Sequence, residues 1–187
     1  MVIIYLHGFR STAYCDKANI TKELFPEYQV KSLSYSPHDP HHAVKQIKSF
    51  AKKLGSLESV LVIGSSLGGF WARWMSYQFG FQSLLINPSL HPDKTLNIVG
   101  EYEIFDGSGN TIEVTQERID AFKNFKVNAE TATKLNCTVW IALDDEVIDA
   151  KSTFEEVESL HKSIMFETGG HRFSQYIEMK KSIEKLI

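Results

Sequence analysis

Residues 59–69 read Ser59-Val60-Leu61-Val62-Ile63-Gly64-Ser65-Ser66-Leu67-Gly68-Gly69. Val60 to Ile63 form an apolar, β-branched run of the kind that suits a strand buried on both faces. The residues that follow, to Phe79, are rich in Trp, Phe, Met and Ala, and Gly80 stands where a helix would close. A serine between such a strand and such a helix, with glycine two before and two after, is the pattern of a nucleophile elbow. The glycines are required because the turn is so tight that side chains there would collide with neighbouring backbone. Register selects the serine. Gly64 and Gly68 flank Ser66, whereas Ser65 has Ile63 and Leu67 at those places.

The five-residue pattern arises by chance in roughly one chain in twenty of this length, so its surroundings decide its meaning. Gly64 and Gly69 also carry the glycine spacing of a phosphate loop. The next positions are Phe70 and Trp71, not Lys and Ser or Thr, so no phosphate-binding charge is present. No Gly-x-Gly-x-x-Gly occurs for a dinucleotide.

The surroundings point to acyl chemistry. Val2 to Leu6 form a second buried-strand run that leads into His7-Gly8-Phe9-Arg10. A His-Gly-x loop after a strand is where α/β-hydrolases place one oxyanion donor, here the Phe9 N–H, with the Leu67 N–H as its partner. Cys137 to Leu143 read as a later strand, followed by Asp144-Asp145-Glu146-Val147-Ile148-Asp149. Acids at a strand–helix junction also serve as caps. Position in the loop favours Asp145 as the acid that holds a histidine, with Asp144 in reserve. A short strand at 162–166 then leads into Thr168-Gly169-Gly170-His171-Arg172-Phe173, which supplies His171 as base, with His91 as the rival. The order Ser66, Asp145, His171 is the one α/β-hydrolases use.

With these motifs in place, the chain resembles the small bacterial YqiA/YcfP-type α/β-hydrolases, a family of predicted esterases, from its first strand to its last helix. The resemblance rests on Ile4-Tyr5-Leu6-His7-Gly8-Phe9, Lys17-Ala18, Ser34-Tyr35-Ser36, the elbow through Ala72, Asn87-Pro88-Ser89-Leu90-His91-Pro92, Asp145-Glu146-Val147-Ile148-Asp149 and Gly169 to Phe173. It implies Ser66 as nucleophile, Asp145 as acid and His171 as base. Asp144 stands where the family commonly has glycine, and Gly170 where asparagine often precedes the histidine. Some members lack the nucleophile; this chain keeps it.

The expected fold is α/β, a compact α/β-hydrolase domain over residues 1–187. Six parallel strands are expected at 2–6, 29–34, 59–63, 82–86, 137–143 and 162–166, in the order 2-1-3-4-5-6 by analogy with the fold. Helices on both faces are expected near 17–25, 41–54, 67–79 and 150–160. A closing helix near 173–186 would carry Phe173, Tyr176, Ile177, Ile183, Leu186 and Ile187 as its apolar stripe. The segment 88–135 is long for a crossover and forms a lid-like insertion, with a turn at 106–110 and a helix at 115–125. Ile119, Phe122 and Phe125 share one side of that helix. Two readings stand for it: an ordinary helix packed on the sheet, or a lid whose aromatic face lines an acyl pocket with Leu90, His91, Phe122 and Phe9.

Other features take ordinary roles. Asp39-Pro40 reads as an N-cap and first helical residue, and the flanking histidines as no metal site. The net charge of −3 and scattered lysines exclude a nucleic-acid stripe. No apolar segment approaches the roughly 20 residues of a membrane span. Cys15 and Cys137 fall at opposite levels of the sheet, roughly 17 Å apart, too far for a disulfide, so a reducing cytoplasmic location is expected. The expected activity is cleavage of a small acyl ester or thioester through an acyl-Ser66 intermediate, with no cofactor. The alternative is a hydrolase-like binding or adaptor protein.

Overall fold

Parallel strands buried on both faces need helices above and below, and the chain supplies them alternately. The computed structural model describes residues 1–55, 59–96 and 98–187; Asn97, inside the 88–135 segment, lies outside the described residues. In chain order the elements are β1 (Val2–Leu6), α1 (Asp16–Leu24), β2 (Gln29–Ser32), α2 (Pro40–Leu54), β3 (Val60–Ser65), α3 (Leu67–Phe79) and β4 (Gln82–Ile86). Then come α4 (Pro92–Thr95), β5 (Gly100–Glu103), β6 (Thr111–Val114), α5 (Gln116–Ala121), α6 (Ala129–Ala132), β7 (Cys137–Ala142), α7 (Ala150–Val157), β8 (Lys162–Phe166) and α8 (Lys180–Glu184). Turns of 3₁₀ helix occupy Phe122–Phe125 and Ser174–Met179.

Six strands form one parallel sheet in the order β2-β1-β3-β4-β7-β8. Counting only the strands of this sheet, that is the expected 2-1-3-4-5-6. The central strands β1, β3 and β7 are buried along their whole length, as their apolar runs require. The edge strands β2 and β8 are shorter on apolar residues and more exposed.

Alternation along each strand divides the core. Ile4, Leu6, Val62, Leu85 and Val139 face α2, α3 and α7, where Ile47, Trp71, Met75 and Val157 meet them. Ile3, Tyr5, Ile63, Ile86 and Trp140 face the other way, onto α1 and the C-terminal segment through Ala18, Phe173, Tyr176 and Ile183. Asp39 caps α2, accepting from the His42 N–H at 3.0 Å, with Pro40 as the first helical residue.

Two elements depart from expectation. Residues flanking the 104–110 turn pair as an antiparallel hairpin, with Glu101 opposite Glu113 and Tyr102 opposite Ile112. The chain's end is not one helix. Phe173 takes a left-handed conformation (φ 51°), and 3₁₀ geometry then rotates Ile177 off the buried stripe, leaving it 54% exposed. Phe173, Tyr176 and Ile183 remain buried.

The helix at 115–125 is α-helical only to Ala121, with Thr115 as N-cap. It packs as an ordinary layer: Ile119 and Phe122 are buried, and the Phe122 ring meets Phe70 and Trp71 at 5.5 and 5.9 Å between centroids. Among the described residues no helix is long and apolar enough to cross a membrane.

Candidate active site

The elbow is built by crowding. A Cβ on Gly64 would sit 2.1 Å from the Gly68 carbonyl oxygen, and one on Gly69 would sit 2.7 Å from Pro88 Cβ. Ser66 itself has φ 56° and ψ −123°, a left-handed backbone that L-residues adopt at a cost of about 1–3 kcal/mol. Neighbours hold it there. Its N–H donates to the Ile86 carbonyl at 2.9 Å, and its carbonyl accepts from Gly69 N–H at 2.8 Å and Ser89 N–H at 3.1 Å. Strain at one residue, countered by hydrogen bonds from β4 and the 87–89 loop, lifts the Ser66 hydroxyl above the sheet's C-terminal edge.

His171 reaches that hydroxyl from the loop after β8. Its Nε2 lies 3.1 Å from Ser66 Oγ, and its Nδ1 lies 2.9 and 3.0 Å from the two Asp145 carboxylate oxygens. With the proton on Nδ1, the imidazole donates to Asp145 and accepts from the serine. The Asp145 carboxylate is buried, its side chain 1% exposed. Burial pushes its pKa up. Hydrogen bonds from His171 and from the Ile148 and Val147 N–H groups outweigh that and hold it below the usual carboxylate range.

The acid cluster divides its work. Asp144 accepts from the Gly170 N–H at 2.7 Å, and Glu146 accepts from the His171 N–H at 2.8 Å. That backbone contact holds the Glu146 carboxyl below its ordinary pKa. Asn87 completes the scaffold. Wholly buried, it donates through Nδ2 to the carbonyls of Gly170 (2.9 Å) and His171 (3.3 Å), and its Oδ1 accepts from Ala142 N–H at 2.8 Å. In the sequence Asn87 figures only among the residues that carry the resemblance, with no role assigned, and Asp144 and Glu146 carry no assigned backbone roles; an Asn-Pro directly after a strand was the available signal.

Gly8 brings the first loop against Ser66: a Cβ there would lie 3.3 Å from Ser66 Cβ and 3.8 Å from Oγ. Phe9 follows it, and Leu67, the first residue of α3, has an N–H with no intrahelical acceptor. The two expected oxyanion donors, Phe9 and Leu67, are the residues directly after Gly8 and Ser66.

The remaining expected residues fall elsewhere. His91 Nε2 is 2.5 Å from Glu156 Oε2, and Glu156 also pairs with Arg73 at 3.6 Å, so His91 serves a separate cluster and not Ser66. Phe122 is fully buried against α3 and Leu90 is 6% exposed in the core, so neither presents a pocket wall. A cleft of about 200 Å³ adjoins the first loop, lined by His7, Arg10, Thr12, Tyr35, His38 and Ile104. A second, of about 650 Å³, runs between Arg73, His91, Lys126 and Glu156.

His7 gives the stability of the fold a pH signature. Its ring is 2% exposed, tilted against Tyr35, and burial lowers its pKa from 6.5 to about 4. Burial does the same to His161. An unfolded chain binds protons between those values that the folded chain excludes. Stability is therefore full above about pH 6.5 and falls as pH drops towards 4. His7 alone accounts for about 2 kcal/mol between pH 7.5 and 5. Urea midpoints should drop over that interval, and the drop should shrink in His7→Asn; an unchanged drop would place the effect elsewhere.

Solved structures share this architecture. Est1E from Butyrivibrio proteoclasticus, solved with ferulic acid bound, superposes with TM-score 0.71 at 13% identity, covering 98% of this chain and 86% of that one. Mouse alpha/beta hydrolase domain-containing protein 10 gives 0.69 at 15% identity, covering 99% and 88%. The methylesterase MES16 from Arabidopsis gives 0.67 at 13%, covering 99% and 98%. The fold is that of the α/β-hydrolases. Among curated proteins, YE1706 of Yersinia enterocolitica is 26% identical over 192 residues, and YcfP of Escherichia coli is 26% identical over 191; each alignment covers 99% of both chains. Both carry the label UPF0227. A family model described as "Uncharacterised protein family (UPF0227)" matches residues 2–187, and the chain belongs to that family.

Proposed function

We propose that this protein is a serine hydrolase that cleaves carboxylic esters or thioesters through an acyl-Ser66 intermediate. The observation that carries this reading is the position of His171, within hydrogen-bond reach of Ser66 Oγ at 3.1 Å and of the Asp145 carboxylate at 2.9 Å. Ser66 Oγ attacks the acyl carbon while His171 Nε2 takes its proton. The N–H groups of Phe9 and Leu67 receive the negative oxygen, each worth roughly 2.7–4 kcal/mol of barrier. Collapse releases the alcohol or thiol, protonated by His171, and leaves the acyl group on Ser66. Water, deprotonated by the same imidazole, then frees the acid and restores the serine. Asp145, held ionised by its hydrogen bonds, keeps the proton on Nδ1 and offsets the imidazolium charge. The chemistry calls on no metal or cofactor. Named esterases among the structural neighbours agree with the reading, through fold alone. Cys15 and Cys137 are free thiols, which suits work in a reducing compartment such as the cytoplasm.

A fluorophosphonate probe, followed by intact-mass and peptide analysis, tests this without a known substrate. Stoichiometric labelling at Ser66 is expected. Folded protein that stays unlabelled would sink the proposal and favour the binding or adaptor reading.

A further inference from the structure

The hairpin β5–β6 is tied to the first loop by hydrogen bonds at Arg10, the residue after Phe9. Arg10 Nε donates to the Glu103 carbonyl at 2.7 Å, and the Arg10 carbonyl accepts from Phe105 N–H at 2.7 Å. The guanidinium lies 4.0 Å from the Phe105 ring centroid and 5.6 Å from that of Tyr102. Tyr102 in turn meets the Phe9 ring edge-on at 5.8 Å. Arg10 is one of few non-glycine residues with positive φ, 57°, a conformation costing roughly 1–2 kcal/mol. Left alone, that backbone would relax and rotate the peptides on either side of it.

We propose that Arg10 is a positioning residue, clamping the loop to the hairpin so that the Phe9 N–H stays aimed at the oxyanion. This rests on the hydrolase reading and adds the hairpin to the catalytic apparatus. The hairpin is then a brace, and the 104–110 turn at its tip belongs to the site although it bears no reacting group. Arginine suits the task because its Nε–H donates in the plane while the flat face stacks on an aromatic ring. Lysine offers a cation but no donor at that point on its stem. A donor set loose at the moment of charge development lowers kcat and leaves ground-state binding alone.

The test compares wild type, Arg10→Ala, Arg10→Lys, Phe105→Ala and the double variant Arg10→Ala/Phe105→Ala. Rates of fluorophosphonate labelling at Ser66 and kcat and KM on p-nitrophenyl acetate are measured, alongside thermal midpoints. Arg10→Ala should slow labelling and kcat about 10- to 100-fold with KM within about twofold. Arg10→Lys should recover little. Phe105 is 67% exposed, so its removal spares the core, and it should produce a smaller loss in the same two rates. The two losses should combine less than additively, because both variants loosen one clamp. Rates within twofold of wild type in folded Arg10→Ala would overturn the proposal. Should Arg10→Ala not fold, unchanged rates in Phe105→Ala would overturn it. Wild type labelled at Ser66 but indifferent to both changes sinks only the clamp; wild type left unlabelled sinks the hydrolase reading and the clamp with it.

Discussion

Ser66→Ala is expected to lower kcat on a p-nitrophenyl ester about a million-fold, leaving only what the oxyanion donors and binding contribute. The fold should not change, because alanine keeps the backbone bonds from Ser66 N–H to Ile86 and from Gly69 and Ser89 to the Ser66 carbonyl. Asp145→Asn should cost about 10⁴-fold by a different route. An amide can turn its NH₂ towards Nδ1, which favours the tautomer with the proton on Nε2, facing Ser66 Oγ and unable to accept from it. The adjacent acids make internal controls. Asp144 accepts from the Gly170 backbone N–H and Glu146 from that of His171, a task an amide oxygen also performs. Asp144→Asn and Glu146→Gln should therefore lose less than about tenfold. Equal losses in Asp144→Asn and Asp145→Asn would remove Asp145 from its assigned role, and full turnover by Ser66→Ala would remove the elbow.

The grouping of Ser66, Asp145 and His171 was legible in the sequence because each lies beyond the C-terminal end of a parallel strand. A strand buried on both faces is a β-branched apolar run, so β1, β3 and β7 announce themselves, and the loops after them are where such sheets gather their chemistry. Nothing similar announces the hairpin. Gly100-Glu101-Tyr102-Glu103 and Thr111-Ile112-Glu113-Val114 are short, half exposed and rich in glutamate, and only the Gly/Asp/Ser turn between them stands out. Arg10 was opaque for the same reason, since its hydrogen-bond partner Glu103 lies 93 residues away along the chain. Phe122 shows the opposite difficulty. An aromatic on an amphipathic helix has the same sequence signature whether it meets a substrate or, as here, Phe70 and Trp71. At the C-terminus the helical period was present, but the left-handed Phe173 and the 3₁₀ turn shifted which residues it buries.

The largest effect on stability is expected at Gly68, and its sign separates two views of why glycine is there. Gly68 lies in the first turn of α3 with ordinary helical backbone, so propensity alone would make alanine better by about 1 kcal/mol. Packing says the reverse. A Cβ on Gly68 would stand 2.1 Å from the Leu6 carbonyl oxygen and 2.8 Å from that of His7. Both atoms belong to main chain, where β1 meets the first loop, and Leu6 is paired with Gly64 in the sheet, so no rotamer change relieves the clash. Either α3 lifts from the sheet, opening the layer beneath Trp71 and Met75, or β1 shifts out of register. Gly68→Ala should lose more than about 4 kcal/mol, as severe overpacking does, and lower the melting temperature by roughly 10 °C or more. Gly80→Ala is the contrast. There φ is 69° and nothing lies within 4 Å, so only the left-handed backbone is penalised, by roughly 1 kcal/mol. If Gly68→Ala melted no lower than Gly80→Ala, close approach of helix and strand would not be what sets the elbow, and the position of Ser66 above the sheet would need another cause.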